Sequence, residues 1–364
     1  MKSSSGEHYL ALDHVRALAA FLVFSWHFLH GLQGFPVPVD YRPPGFLFPF
    51  SIINLGHTGV ALFMTLSGYL FAKLLDGKRI NYPAFFWNRT LRLLPLLLFV
   101  IALVGLRTYL MHGNIANYLQ QVAAGLIGPT LPQGGWSITV EFHFYLLLPI
   151  ILYLGRRSKL TLPAVVLAAI ALRAFLHHRN GEVHALAYLT IVGRIDQFVL
   201  GILAFNYRKL IANRHAMAWL SIAAFLLIYW WLNGPGDIGN KGLRPSPSPL
   251  WIFIPTLEGL AYGLLISYYD NSFRPSNTGV SKVVGALGAY SYSIYLLHFF
   301  VVFQLPTLVD RYLMGISNFY VACLWSLICF TLMLPIGYLS FRYIESPFLG
   351  FRRRYIVARE PLPA

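Results

Sequence analysis

Arg16 and His27 stand eleven residues apart inside an otherwise apolar stretch, Leu12 to His30. On an α-helix eleven steps make three turns plus about 20°, so the two side chains share one face, about 16 Å apart along the axis. Asp13 and His30 fall within about 40° of the same stripe. Ionisable groups cost kilocalories in a bilayer, and those that persist there are functional by default. A neutral imidazole in a dry site is the form that a general base requires. The bland alternative has Arg16 snorkelling to the surface and His27 satisfying a neighbouring backbone.

A second group lies in GGWSITVEFHFYLLLP, Gly134 to Pro149. Ser137, Glu141 and Tyr145 recur every fourth residue and share a helix face, His143 points away, and Trp136 sits at a membrane boundary. A carboxylate there can orient a histidine, accept a proton or fix an arginine such as Arg194. A third group, Arg89 and Arg92 in FFWNRTLRLLP, pairs two guanidinium groups one turn apart. Arginine holds phosphate through two parallel hydrogen bonds, although plain topological anchoring explains the same pair. Arg107, Arg173, Arg194, Asp196, Glu258, His298 and Glu345 complete the polar groups expected inside the protein. Arg194 and Asp196 are two apart and cannot face each other, so each is expected to bond across to another helix. Cys323 and Cys329 point to different faces of one helix and form no disulfide or zinc spacing, which leaves them as packing residues.

The elements that position these groups must be membrane helices. The 364 residues are 57% hydrophobic and only 11% charged, with a mean hydropathy of +0.60. A soluble domain carries about a quarter charged residues. The expected fold is all-α: a polytopic integral membrane bundle of about ten spans, each needing roughly 20 apolar residues. The spans are placed at about Leu12–Gly31, Gly56–Leu75, Leu93–Met111, Trp136–Gly155, Leu160–Leu176, Ala185–Asn206, His215–Leu232, Leu250–Tyr269, Val283–Gln304 and Phe319–Phe341. Ile115–Gly128 is helical in pattern but too short and polar to span, and reads as a surface or re-entrant helix.

The net charge of +15 raises nucleic acid as a partner, and its distribution removes the need for one. With the N-terminus inside, 19 Lys and Arg fall in inner segments, Lys2 and Arg359 among them. Only Arg42, Arg179, Lys241, Arg244 and Arg311 fall outside. That is the positive-inside asymmetry, with both termini cytoplasmic. The first span carries Arg16 and lacks a small-residue cleavage site, so it is not read as a signal peptide. No repeat and no second soluble domain are evident, and residues 1–364 read as one membrane domain. The long outer loops, about His30–Leu55 and Asn233–Pro249, are rich in Pro and Gly and read as connectors or the rim of a vestibule.

Taken together, the motifs resemble the acyltransferase-3 family of integral membrane O-acyltransferases over nearly the whole chain. LDHVRALAAFLVFSWH resembles the family's first span, with its Arg-x10-His spacing at Arg16 and His27. GHTGVALFMTLSGYLF resembles the second, and RTLRLLP the cytoplasmic Arg-x-x-Arg. WSITVEFHFYLLLP, GRIDQFVLG, YSYSIYLLH and RYIESP resemble later signatures, all in the family's order. One departure is Ala61, where many members carry an acid. Glu141 or Asp13 is left to orient the histidine.

The resemblance implies an acyltransferase of a bacterial inner membrane that takes acetyl-CoA as its cytoplasmic donor. Arg89 and Arg92, with Arg16, would hold the donor's phosphates while its pantetheine arm enters the bundle. His27 would deprotonate an acceptor hydroxyl for attack on the thioester, with Glu141 as its partner and Ser137 as a donor to the thioester oxygen. An acyl-histidine or acyl-serine relay is the less favoured variant. The acceptor would be a carbohydrate, in the narrower reading a polyprenol-linked exopolysaccharide repeat unit. With no hydrolase-like domain after the last span, the membrane unit would complete the transfer or hand it to another protein. The rival class is a transporter or flippase, which also carries polar membrane residues. It would show an inverted repeat, and none is apparent.

Overall fold

A computed structural model describes residues 9–30, 48–76, 78–234, 236 and 246–357. The charges at Lys2, Arg42, Lys241, Arg244 and Arg359, and most of the two long outer loops, lie outside the described residues. The principal helices are α1 (Leu10–Leu29), α2 (Gly59–Leu74), α3 (Tyr82–His112), α4 (Trp136–Arg157), α5 (Thr161–Asn180) and α6 (Ile191–Asn206). They continue with α7 (His215–Asn233), α8 (Ile254–Ser272), α9 (Gly279–Ala289), α10 (Ser291–Leu297) and α11 (Phe319–Leu332). Two short strands, β1 (Arg79–Ile80) and β2 (Ile356–Val357), pair antiparallel.

Local chemistry sets the boundaries. Asn81 caps α3 by accepting from the Ala84 amide at 3.2 Å, with Pro83 in the first turn where a missing N–H costs nothing. Thr190 caps α6 by accepting from the Gly193 amide at 3.2 Å. That cap divides the span expected at Ala185–Asn206 into a short helix, His184–Leu189, and α6. The Ala116–Ala124 helix lies on the surface, tied to α3 by the Tyr118 hydroxyl donating to the Ile101 carbonyl at 2.6 Å.

Helix occupies all ten segments expected to span. Five stretches among the described residues are long and apolar enough to cross a membrane: α3, α4, α5, α7 and the Phe319–Leu349 run that begins with α11. A sixth crossing results if α9 and the bent segment after it count as one. The other expected spans are more polar or shorter because they occupy the interior. α2 packs on α6, α6 on α8, and α1 on both α2 and α9. A helix surrounded by protein can carry Asp13, Asp196, Gln197 and Glu258, all buried, whereas a lipid-facing helix cannot. α2 and α6 approach backbone to backbone: a Cβ on Gly68 would lie 1.9 Å from the Phe198 carbonyl oxygen, and one on Gly201 2.0 Å from that of Thr65. Small residues at such crossings replace the hydrophobic drive that lipid does not supply.

One polar knot locks this interior. The fully buried Arg173 donates to Asp196 Oδ2 at 2.7 Å, to Thr256 Oγ1 at 2.7 Å, and to the carbonyls of Ile252 at 2.8 Å and Gly193 at 2.7 Å. Asp196 therefore bonds across helices as expected. Arg194 reaches only the short helix just before its own, donating to the Tyr188 carbonyl, and at 2.9 Å donates to Gln197 on its own helix. Arg107, expected inside, is exposed on α3.

The inner basic segments gather at one end of the bundle. Arg156 donates to the Lys78 carbonyl at 3.4 Å, Arg208 pairs with Asp76 at 2.8 Å, and β2 joins the Arg352–Arg354 segment to β1. His14, near the start of α1, lies 2.9 Å from the Ser281 carbonyl at the same end.

Candidate active site

A cavity of about 210 Å³ opens among α1, α2, α3, α4 and α10. It is lined by Arg16, Arg89, Arg92 and Arg352, by apolar side chains that include Phe63, Met64 and Leu70, and by the polar groups of Ser67, Glu141, Ser137 and Tyr295.

Arg89, Arg92 and Arg352 come from two segments far apart in sequence. Arg89 and Arg92 lie one turn apart near the start of α3. Arg89 donates to the Tyr355 hydroxyl at 3.3 Å, with its guanidinium 4.9 Å from the Phe71 ring centre. Arg92 pairs with Glu345 at 3.5 Å. A π-helical turn, Phe341–Glu345, turns that carboxylate inward, where the Ser293 hydroxyl also donates to it. Such one-residue insertions into a helix redirect a side chain and recur at functional sites. Arg16 pairs with Asp13 on its own helix.

Glu141 accepts from the Ser67 hydroxyl at 3.2 Å and from the Tyr145 hydroxyl. Ser137 donates toward the Tyr295 hydroxyl at 2.9 Å, and Tyr295 donates to the Gly134 carbonyl at 3.2 Å. Gly134 has a φ of 72°, which its missing side chain permits, and a Cβ there would lie 2.8 Å from the Phe299 ring. The turn thus presents its carbonyl to Tyr295 without blocking the site.

Behind Tyr295 stands a histidine pair. Tyr295 lines the cavity with its side chain, while its backbone carbonyl lies 2.7 Å from His298 Nδ1. His298 is buried, and its Nε2 is 3.2 Å from His27 Nδ1. His27 Nδ1 is also 2.9 Å from the Val23 carbonyl. Carbonyl oxygens only accept, so the proton on each ring is assigned to Nδ1. His298 Nε2 is then an acceptor for His27, and the lone pair of His27 resides on Nε2. Trp26, Phe299 and Phe303 surround the His27 ring, with centres 4.7, 4.5 and 5.8 Å away.

The structure therefore joins Arg16, Arg89, Arg92, Ser137 and Glu141 in one cavity, and sets His27 one residue layer beyond its lining. It brings neither carboxylate to His27: Glu141 is bonded to Ser67 and Tyr145, and Asp13 is paired with Arg16. Nor does Arg194 bond Glu141. Ala61 is fully buried, and its carbonyl accepts from Thr65 at 2.9 Å. His30 is buried on the next turn, with Nδ1 3.0 Å from the Trp26 carbonyl.

Three residues of the site carry no functional role in the sequence reading: Tyr295, His298, which was expected inside the protein and is buried there, and Arg352. The first two lie in YSYSIYLLH, three apart and hence on one helix face, a spacing that could have marked them. Arg352 sits in a run of three arginines, where nothing local distinguishes the inward one.

A family model described as an acyltransferase domain matches residues 9–338. A Putative O-acetyltransferase of Staphylococcus aureus (strain MRSA252) is 25% identical, the match covering 83% of this chain and 55% of that protein. Nodulation protein 10 of Rhizobium leguminosarum bv. viciae is 26% identical, over 68% of this chain and 72% of its own length. A Putative acetyltransferase of Acidianus two-tailed virus is 25% identical, over 69% and 75%. The chain spans about half the length of the staphylococcal relatives it matches. No solved structure matches.

Proposed function

Because this chain belongs to the acyltransferase-3 family, we propose that it is an acyltransferase that moves a short acyl group, such as acetyl, from acyl-CoA to a carbohydrate hydroxyl. The observation that carries this reading is one cavity lined by four arginines and by the hydroxyls of Ser137 and Tyr295, with the histidine pair directly behind Tyr295. The basic end of the bundle is taken as cytoplasmic by the positive-inside rule.

Arg89 and Arg92 hold the donor's phosphates. The pantetheine arm follows the apolar wall at Phe63, Met64 and Leu70 and brings the thioester to Ser137 and Tyr295. The acceptor hydroxyl reaches His27 from the opposite end of the bundle. His27 Nε2 removes its proton as the oxygen attacks the thioester carbon. The negative charge that develops on the thioester oxygen is met by the hydroxyls of Ser137 and Tyr295. The C–S bond then breaks, the thiolate takes the proton from the His27 imidazolium, and an ester and free CoA leave. His298 keeps the His27 proton on Nδ1, so the reactive lone pair stays on Nε2. A lipid-linked exopolysaccharide repeat unit in a bacterial inner membrane is the acceptor we favour.

The test uses protein in nanodiscs, supplied with acetyl-CoA labelled in the acetyl group and with no ion gradient. Release of free CoA together with label on an added carbohydrate supports the reading. Solute movement in proteoliposomes without any acetyl transfer or acetyl-CoA hydrolysis would contradict it.

A further inference from the structure

We propose that Arg352 is a third phosphate-binding arginine, carried over the cavity by the segment 351–357, and that it selects donors bearing a terminal phosphomonoester. This rests on the reading of the cavity as the donor site. Residues 351–357 lie along the start of α3. Asn88 donates to the Arg353 carbonyl at 2.7 Å and accepts from the Arg353 amide at 2.9 Å. The Trp87 indole donates to the Phe351 carbonyl at 3.2 Å, the Asn81 amide donates to the Tyr355 carbonyl at 2.8 Å, and β2 pairs with β1. These bonds fix the backbone on both sides of Arg352. Its side chain lines the cavity with Arg89 and Arg92.

The local charge is incompletely balanced. Glu345 is already engaged by Arg92 and Ser293, and the Arg352 Nε is buried without a hydrogen-bond partner. Burial, followed by the neighbouring Arg92 and Arg89, lowers the Arg352 pKa to about 10, against opposing pulls from Tyr355 and Glu345. Three guanidinium groups crowded together in this way suit an anion of more than one charge. A phosphodiester carries one negative charge, and a phosphomonoester carries between 1.5 and 2 at neutral pH. A 3′-phosphorylated CoA supplies both kinds beside each other. Free phosphate and the headgroup of an anionic phospholipid share part of that chemistry.

The decisive experiment measures the affinity of the full-length protein in nanodiscs of neutral lipid for CoA and for CoA lacking its 3′-phosphate, using wild type, Arg352→Gln, Arg352→Lys and Arg354→Gln. Wild type should prefer CoA by about tenfold or more, the range for charge-assisted bonds to phosphate. Arg352→Gln should lose that preference while binding the dephosphorylated form within about twofold of wild type. Arg352→Lys should keep part of it, and the exposed Arg354→Gln all of it. A preference unchanged in Arg352→Gln, or equal loss of both ligands, overturns the role of Arg352 while leaving the donor reading intact. Failure of wild type to bind either form removes the donor reading and this proposal with it. Competition by inorganic phosphate or by phosphatidic acid vesicles as strong as that by CoA would assign the arginine to one of those anions instead.

Discussion

His298 Nε2 lies 3.2 Å from His27 Nδ1, and the carbonyls of Val23 and Tyr295 fix both rings' protons on Nδ1. A histidine that hydrogen-bonds the far side of another decides which nitrogen carries the lone pair. His298→Ala is therefore expected to lower kcat by about tenfold to a hundredfold with little change in donor KM. His298→Gln, whose amide oxygen can accept from His27, should recover part of the loss. Steady-state kinetics on the two variants separate positioning from structure. If Gln is no better than Ala at equal thermal stability, His298 does not act by accepting that bond.

Glu141 bonds Ser67 and Tyr145 and does not touch His27. Glu141→Gln should reduce turnover by disturbing the cavity wall, while the acidic limb of the pH–rate profile stays where it is in wild type. A limb that moves would show that the carboxylate acts on the histidine's ionisation after all.

Replacing Arg89 and Arg92 together by Gln should raise the donor KM at least tenfold and leave the acceptor KM within about twofold, since charge-assisted bonds to phosphate contribute about 1.5–3 kcal/mol each. Donor dependence that survives the double change would return both residues to topological anchoring.

The Arg173–Asp196 pair, 2.7 Å apart and fully buried, is read as structural. Asp196→Ala leaves a buried guanidinium unpaired, which costs about 3–5 kcal/mol. Thermal unfolding in detergent should show a large loss, while any protein that remains folded keeps its donor affinity. Normal stability would mean that the neighbouring carbonyls alone satisfy Arg173.

Much of this arrangement is legible in the chain before it folds. The Arg16–His27 stripe, the Ser137–Glu141–Tyr145 face and the Arg89–Arg92 pair each follow from helical period, because all their members sit on one helix. Partners from different helices were not legible. The spacing of Asp196 from Arg194 calls for a distant partner, but nothing local names Arg173 or Thr256. The sequence suggests an acid as the orienting group for His27, and the structure offers His298, an acceptor 271 residues away. Span counting suffers from a related effect. α2 and α6 are sixteen residues each, shorter than a lipid-facing helix needs, because protein and not hydrocarbon surrounds them.

The central claim is that His27 is the base, and single-turnover acetyl transfer by His27→Ala tests it most directly. The measurement uses saturating acetyl-CoA and acceptor, with CoA affinity measured in parallel and His30→Ala as the neighbouring control. General-base assistance contributes on the order of 100- to 10,000-fold. The account predicts a loss in that range for His27→Ala with CoA affinity preserved, and appreciable activity in His30→Ala. Transfer by His27→Ala within a few-fold of wild type would contradict it, and the histidine would then serve only to pack against Phe299 and His298.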